Sequence, residues 1–176
     1  MPKIILATLS FSFLLFLIAC NNSTPTAPES KAGSPSAPAA TPRPDVNFGA
    51  GFSALESSPD GLTWRWMAET GSVELKNTRA DMRLKLVGDV PVESMKGAAQ
   101  ITIKFNGETL DQFTATKENS HLEKEFIIPA AKQSSGEFSE LTLQSDKYFV
   151  PKLIDKRSTD ERKLSFSLKR LEWATK

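Results

Sequence analysis

The chain has 176 residues, 39% hydrophobic and 24% charged, with a formal net charge of +1. A balance this near zero supplies no overall field toward nucleic acid or an acidic lipid surface, and no Lys/Arg cluster tracks aromatic residues as a nucleic-acid groove requires. The single cysteine, Cys20, excludes an intrachain disulfide, and the length suits one folded unit with attachments.

The N-terminus comes first. Met1-Pro2-Lys3 carries one positive charge, and Ile4 to Ala19 is then apolar apart from Thr8, Ser10 and Ser12. Those 16 residues fall short of the roughly 20 that span a bilayer. Asn21-Asn22-Ser23-Thr24-Pro25 follows, with no basic stop-transfer cluster. A charged start, an apolar middle and a small residue before a cut describe a secretory signal. Leu17-Ile18-Ala19-Cys20 resembles the lipobox of bacterial lipoproteins. That resemblance implies lipid attachment at Cys20: diacylglycerol on its sulfur, cleavage before it, and acylation of the new amino group. It makes a membrane the first expected partner. Asn21 is not the aspartate that holds lipoproteins at the inner membrane of enteric bacteria, which points to an outer membrane and a chain facing the periplasm. The other reading is an ordinary secretory signal with a stray cysteine.

Residues 21–45 hold six prolines, and most of the rest are Ala, Ser or Thr. Such a stretch cannot bury enough apolar surface to offset chain ordering. Extended as polyproline II it reaches on the order of 75 Å, and as a flexible coil about 30 Å. The expected organisation is a lipoprotein signal peptide over 1–19, a lipid-anchored linker over 20–45 and a folded domain over 46–176.

The domain has a period of two. Trp64, Trp66 and Ala68 alternate with Arg65 and Met67, so the two tryptophans share one face, expected to fill the core, with a platform on which a sugar ring stacks as the alternative, and Arg65 points the other way. Met82, Leu84 and Leu86 alternate next, followed by Ile101, Ile103 and Phe105. Phe126 and Ile128 continue a run begun at Leu122. Leu141 and Leu143 alternate, as do Leu164, Phe166 and Leu168. Each pattern gives a strand one core face and one wet face. Asn106-Gly107 is a strong hairpin signal, and Ser58-Pro59-Asp60-Gly61 and Ser134-Ser135-Gly136 mark further turns. The phase slips between Leu168 and Leu171, which predicts a bulge or strand end near Lys169-Arg170. "VESMKGAA" holds one helical turn at most. The pattern predicts an all-β, two-sheet antiparallel sandwich, or jelly roll, of eight or nine strands.

Within this frame, "GFSALE" at 51–56, "WRWM" at 64–67, "ITIKFNGETLDQF" at 101–113, "FIIP" at 126–129 and "YFVPKLIDKRSTDERKLSFSLKRLEW" at 148–173 occur in order. Together they resemble the jelly-roll modules of bacterial cell-envelope proteins, which are similar in shape to carbohydrate-binding sandwiches. The recurring positions fall here on Glu56, Arg65-Trp66, Phe149-Pro151 and Asp160-Arg162-Leu164. The resemblance implies a fold and an envelope setting, and brings no ligand set with it.

Five residues stand out as candidates for binding: Glu56, Arg65, Tyr148, Asp160 and Arg162. Arginine and carboxylate pair in a planar fork, so Glu56, Arg65, Asp160 and Arg162 form either a polar rim for glycan hydroxyls or an ion network that pins the last long loop to the sheet. Tyr148 opens that loop, and Phe149 is expected to plug the core. His121 is the sole histidine; no nucleophile motif such as G-x-S-x-G occurs, and a zinc site at His121 would need three carboxylates, an unusual set. The expected protein is therefore non-catalytic, without cofactor or metal. Its expected task is binding or helping to assemble an envelope glycan. The alternative is a scaffold lipoprotein that docks an envelope protein by a sheet edge or the 148–162 loop.

Overall fold

The computed structural model describes residues 45–176. The expected signal peptide, Cys20 and the tether up to Pro44 lie outside the described residues. Ten strands form: β1 (Val46–Phe48), β2 (Glu56–Ser57), β3 (Thr63–Met67), β4 (Thr70–Lys76), β5 (Met82–Asp89), β6 (Ala99–Phe105), β7 (Glu108–Ala115), β8 (His121–Ile128), β9 (Phe138–Ser145) and β10 (Phe166–Thr175). A single-turn helix, α1 (Pro151–Ile154), sits between β9 and β10, and a 3-10 turn covers Ala130–Lys132. The strands exceed the expected eight or nine because β1 and β2 have three and two residues. Neither is long enough to show a period.

Two five-stranded sheets result, ordered β1-β4-β9-β6-β7 and β2-β3-β10-β5-β8. Every pairing is antiparallel. The molecule is thus an all-β sandwich, as the period-two pattern predicts. Its core lies between the sheets. Leu84, Leu86, Ile101, Ile103, Leu141, Leu143 and Phe166 are all buried there, from the strands where alternation is cleanest. The described residues, 45–176, belong to one compact unit, and the whole core cluster lies inside it.

The Asn106-Gly107 hairpin joins β6 to β7 with both residues at positive φ, 49° and 83°. Paired left-handed residues give the turn whose twist suits a two-residue hairpin. The Asn106 side chain is also fastened, donating to the Lys132 carbonyl at 2.9 Å and accepting from the Glu140 amide at 2.9 Å. The phase slip in the last strand is real as well. The register of β10 against β5 shifts between Leu168 and Arg170. Beyond it, Leu171 and Trp173 turn toward the core, and the Trp173 indole donates to the Lys76 carbonyl at 2.8 Å.

On β3 the expected phase is overturned. Met67 is 0% exposed, while Trp64 and Trp66 are half-buried on the opposite face. Met67 pairs with Phe166, the largest fully buried side chain, and also bridges Phe52. Arg65 shares the inward parity but lies near the open side of the sandwich. Its guanidinium sits 4.5 Å from the Phe48 ring centroid and donates to the Ser53 carbonyl at 2.9 Å. Of the two, Trp66 has part of its outer face covered by the loop that precedes β10. Phe149 meets the Trp66 ring edge-on, with centroids 5.9 Å apart.

Candidate functional site

The outer face of the second sheet carries the site. The Ser58–Gly61 turn closes with the Gly61 amide donating to the Ser58 carbonyl at 2.9 Å, and Gly61 takes φ 85°. This turn delivers Leu62, which is 62% exposed, to the start of β3. Trp64 follows on the outer face, and Glu56 on β2 pairs across from it. On the other side of β3, the β10 bulge places Lys169 and Arg170 one after the other opposite Val87. A bulge sets two successive side chains where a regular strand would set one.

These elements enclose an open hollow of about 720 Å³. Leu62, Trp64 and Val87 make its apolar part, and Ser58, Asp60, Lys169 and Arg170 its polar rim. The Trp64 indole nitrogen is buried and has no hydrogen-bond partner among the described residues. An unpaired buried donor costs about 1–3 kcal/mol, so the ring is held by packing and not by its polar end.

Both cations of the hollow are engaged by carboxylates. Lys169 pairs with the Asp89 carboxylate, whose other oxygen lies 2.7 Å from His121 Nδ1. Burial pushes the Asp89 carboxyl up, but the hydrogen bonds from Lys169 and His121 outweigh it and leave Asp89 below the usual carboxylate range. Arg170 reaches Glu172 at 3.5 Å.

Next to the hollow, three of the five expected binding residues meet. Arg162 donates to Glu56 Oε1 at 2.7 Å and to Asp160 Oδ2 at 2.7 Å. Its Nε also donates to both Asp160 oxygens, at 3.0 and 3.1 Å. The hydrogen bonds of Asp160 and then of Glu56 raise the Arg162 guanidinium further above its ordinary value. Arg162 in turn holds the Asp160 carboxyl below its usual range. The pair links β2 to the loop that precedes β10, over 106 residues of chain. Arg65 stands apart from this cluster, bound to Ser53 and Phe48. Tyr148 is also separate. It is 40% exposed, with Lys163 Nζ 4.3 Å from its ring centroid. Trp66 and Arg162 line a smaller hollow of about 370 Å³ with Phe52 and Leu164.

Sequence reasoning missed Leu62, Val87, Lys169 and Arg170 as parts of a site. The phase slip at Lys169-Arg170 was the available signal, since a bulge brings two cations to one place. Among the described residues, no group of three or more His, Cys, Asp or Glu is placed to hold a metal ion.

No protein-family model matches the chain, and no curated protein does. Solved structures resemble its fold at low identity. The CBM36-1 domain of a multidomain xylanase from the hindgut metagenome of Trinervitermes trinervoides aligns with 74% of this chain and 91% of its own, at 13% identity and a TM-score of 0.40. A family 35 carbohydrate binding module from Clostridium thermocellum aligns with 75% of this chain and 93% of its own, at 9% identity and 0.40. The C-terminal domain of EclA, a sugar-binding protein, aligns with 58% of this chain at 11% identity and 0.39, and the chain spans 64% of its length. All three scores stand below 0.5, so what this chain binds has to be argued from its own residues.

Proposed function

We propose that the protein is a non-catalytic glycan-binding lipoprotein of the bacterial envelope, which takes sugar on the outer face of the second sheet. One observation carries this reading: Trp64 faces outward into a hollow with an apolar floor and a polar rim. A pyranose ring has an apolar C–H face and an equatorial fringe of hydroxyls. The indole suits the first, and Ser58, Asp60, Lys169 and Arg170 suit the second.

Two carboxylates near the hollow, Asp89 and Asp160, do not suit the role of a glycosidase's proton donor. A glycosidase acid must keep its proton near neutral pH, through a raised pKa. Asp89 and Asp160 are both held low and tied to cations. The anchor rests on the lipobox at Cys20, and the proline-rich tether of residues 20–45 would hold the sandwich clear of the headgroups.

The test is a glycan array probed with the 41–176 unit and with Trp64→Ala. Binding to a restricted set of glycans, weakened about tenfold or more by Trp64→Ala, is expected; tenfold corresponds to about 1.4 kcal/mol. A silent array, together with one dominant envelope protein captured by the same unit, would instead favour protein docking. For the anchor, labelling by a fatty-acid probe should disappear in Cys20→Ala, and persistence would refute it.

A further inference from the structure

The Trp64 hollow leaves the second tryptophan of its face without a role. Trp66 stands two residues along β3, on the same outer side. Successive side chains on one face of a strand lie about 7 Å apart, a gap that neighbouring rings of one glycan chain can bridge. Trp66 is half-buried and lines the hollow of about 370 Å³, where Phe52, Ala68 and Leu164 are apolar neighbours and Ser53 and Arg162 polar ones. Its position is fixed from two sides. Phe149 meets the ring with centroids 5.9 Å apart and planes at 78°. The Trp66 amide donates to Ser53 Oγ at 3.0 Å, and its carbonyl accepts from the Ser53 amide at 2.8 Å. A ring ordered before binding loses little freedom when a ligand stacks on it.

One polar link runs between the two tryptophans' surroundings. Glu56 on β2 pairs across from Trp64, and Arg162, which lines the Trp66 hollow, donates to Glu56 at 2.7 Å. Charge then narrows the kind of sugar. Every cation lining either hollow is already engaged: Lys169 by Asp89, Arg170 by Glu172, Arg162 by Glu56 and Asp160, and Lys163 by Glu69. Asp60, on the rim of the Trp64 hollow, has no ion-pair partner among the described residues. An acidic sugar would have to break one of these pairs or face Asp60. Hydroxyls require neither, because a carboxylate in an ion pair keeps lone pairs for a further donor.

We propose that Trp64 and Trp66 are consecutive subsites for an uncharged, linear oligosaccharide of at least two rings, with Glu56 and Arg162 offering hydrogen bonds between them. The inference rests on the reading of Trp64 as a sugar platform and adds to it the length and charge of the ligand.

The experiment uses the full chain in detergent micelles, on an array of neutral and uronic-acid glycans, each presented from monosaccharide to tetrasaccharide. The glycans bound should be neutral, and the disaccharide should bind about tenfold or more tighter than its monosaccharide. Trp66→Ala should abolish that gain and leave monosaccharide binding unchanged. Raising the salt concentration should alter the affinity by less than about twofold, since no free charge contributes. A check that needs no variant is the Trp66 indole N–H signal, which should move on titration with the disaccharide and stay in place with the monosaccharide. Equal affinity at every length, a Trp66 signal unmoved by a saturating longer glycan, or a preference for the acidic series would overturn the inference and leave Trp64 as a platform. A silent array would overturn both.

Discussion

Replacing Met67 with alanine should destabilise the domain far more than replacing Trp64, although Trp is the larger residue. Met67 is 0% exposed and packs against Gly71, Phe52 and Phe166 between the sheets. Truncating a buried Met to Ala costs about 2–5 kcal/mol, because the neighbours close the void only in part. For a domain of this size each kcal/mol moves the melting temperature by roughly 3–6 °C, so a drop on the order of 10–15 °C is expected. Trp64 is half-buried on the outer face. Its removal forfeits part of the gain from apolar burial but also removes an unpaired buried indole N–H, so the net cost should be about 1 kcal/mol. The assay is thermal and guanidinium unfolding of the 41–176 unit and both variants, followed by circular dichroism. If Trp64→Ala proves as damaging as Met67→Ala, the indole belongs to the core, and the outward face of β3 carries no sugar platform.

Further outcomes follow from the same packing and charges. A Cβ at Gly88 would lie 2.4 Å from both Phe166 Cζ and the Ser167 carbonyl oxygen, so Gly88→Ala should cost about 1–3 kcal/mol by overpacking. Adding Phe166→Leu should recover only part of that cost, since the ring can withdraw and the backbone oxygen cannot; a neutral Gly88→Ala would contradict the register of β5 on β10. Asp89, Asp111 and Asp160 all have folded pKa values below the usual carboxylate range. The stability they lend is present above the unfolded carboxyl value of about 4 and is lost as pH falls through their folded values. Guanidinium midpoints should therefore decline on acidification below about pH 4, less steeply in Asp89→Asn, and an unchanged slope in that variant would refute the assignment. Arg162→Gln should barely alter global stability, because partly exposed pairs contribute about 0–1 kcal/mol, yet it should speed amide exchange across 149–162. Exchange confined to its wild-type rate would show that the ion pairs do not hold the loop.

The strands that were plain in the sequence are those with one fully covered face. Met82–Leu86, Ile101–Phe105 and Leu141–Leu143 alternate cleanly because each lies within a sheet and meets the opposite sheet along its length. The hairpin at Asn106-Gly107 and the bulge near Lys169 were readable for local reasons, a turn that needs positive φ and a slipped phase. β3 misled because both of its faces are partly covered, one by the core and one by the 149–162 loop. Tryptophan alternating there looks like a core stripe, and only the pairing of Met67 with Phe166 decides the phase. Of the charged candidates, Glu56, Asp160 and Arg162 could be grouped from complementary chemistry alone, whereas Arg65 departs because its strand position turns it inward toward Phe48. The hollow itself was not readable, since it depends on a turn, a strand and a bulge converging from three separate places in the chain.

The central claim is that sugar meets the indole of Trp64. The three tryptophans, Trp64, Trp66 and Trp173, give three indole N–H signals in a nitrogen-15 correlation spectrum, and Trp173, which donates to Lys76, serves as an internal reference. On titration with a glycan selected from the array, the Trp64 signal should move and saturate while Trp173 stays fixed. A saturating glycan that leaves the Trp64 signal in place would contradict the account.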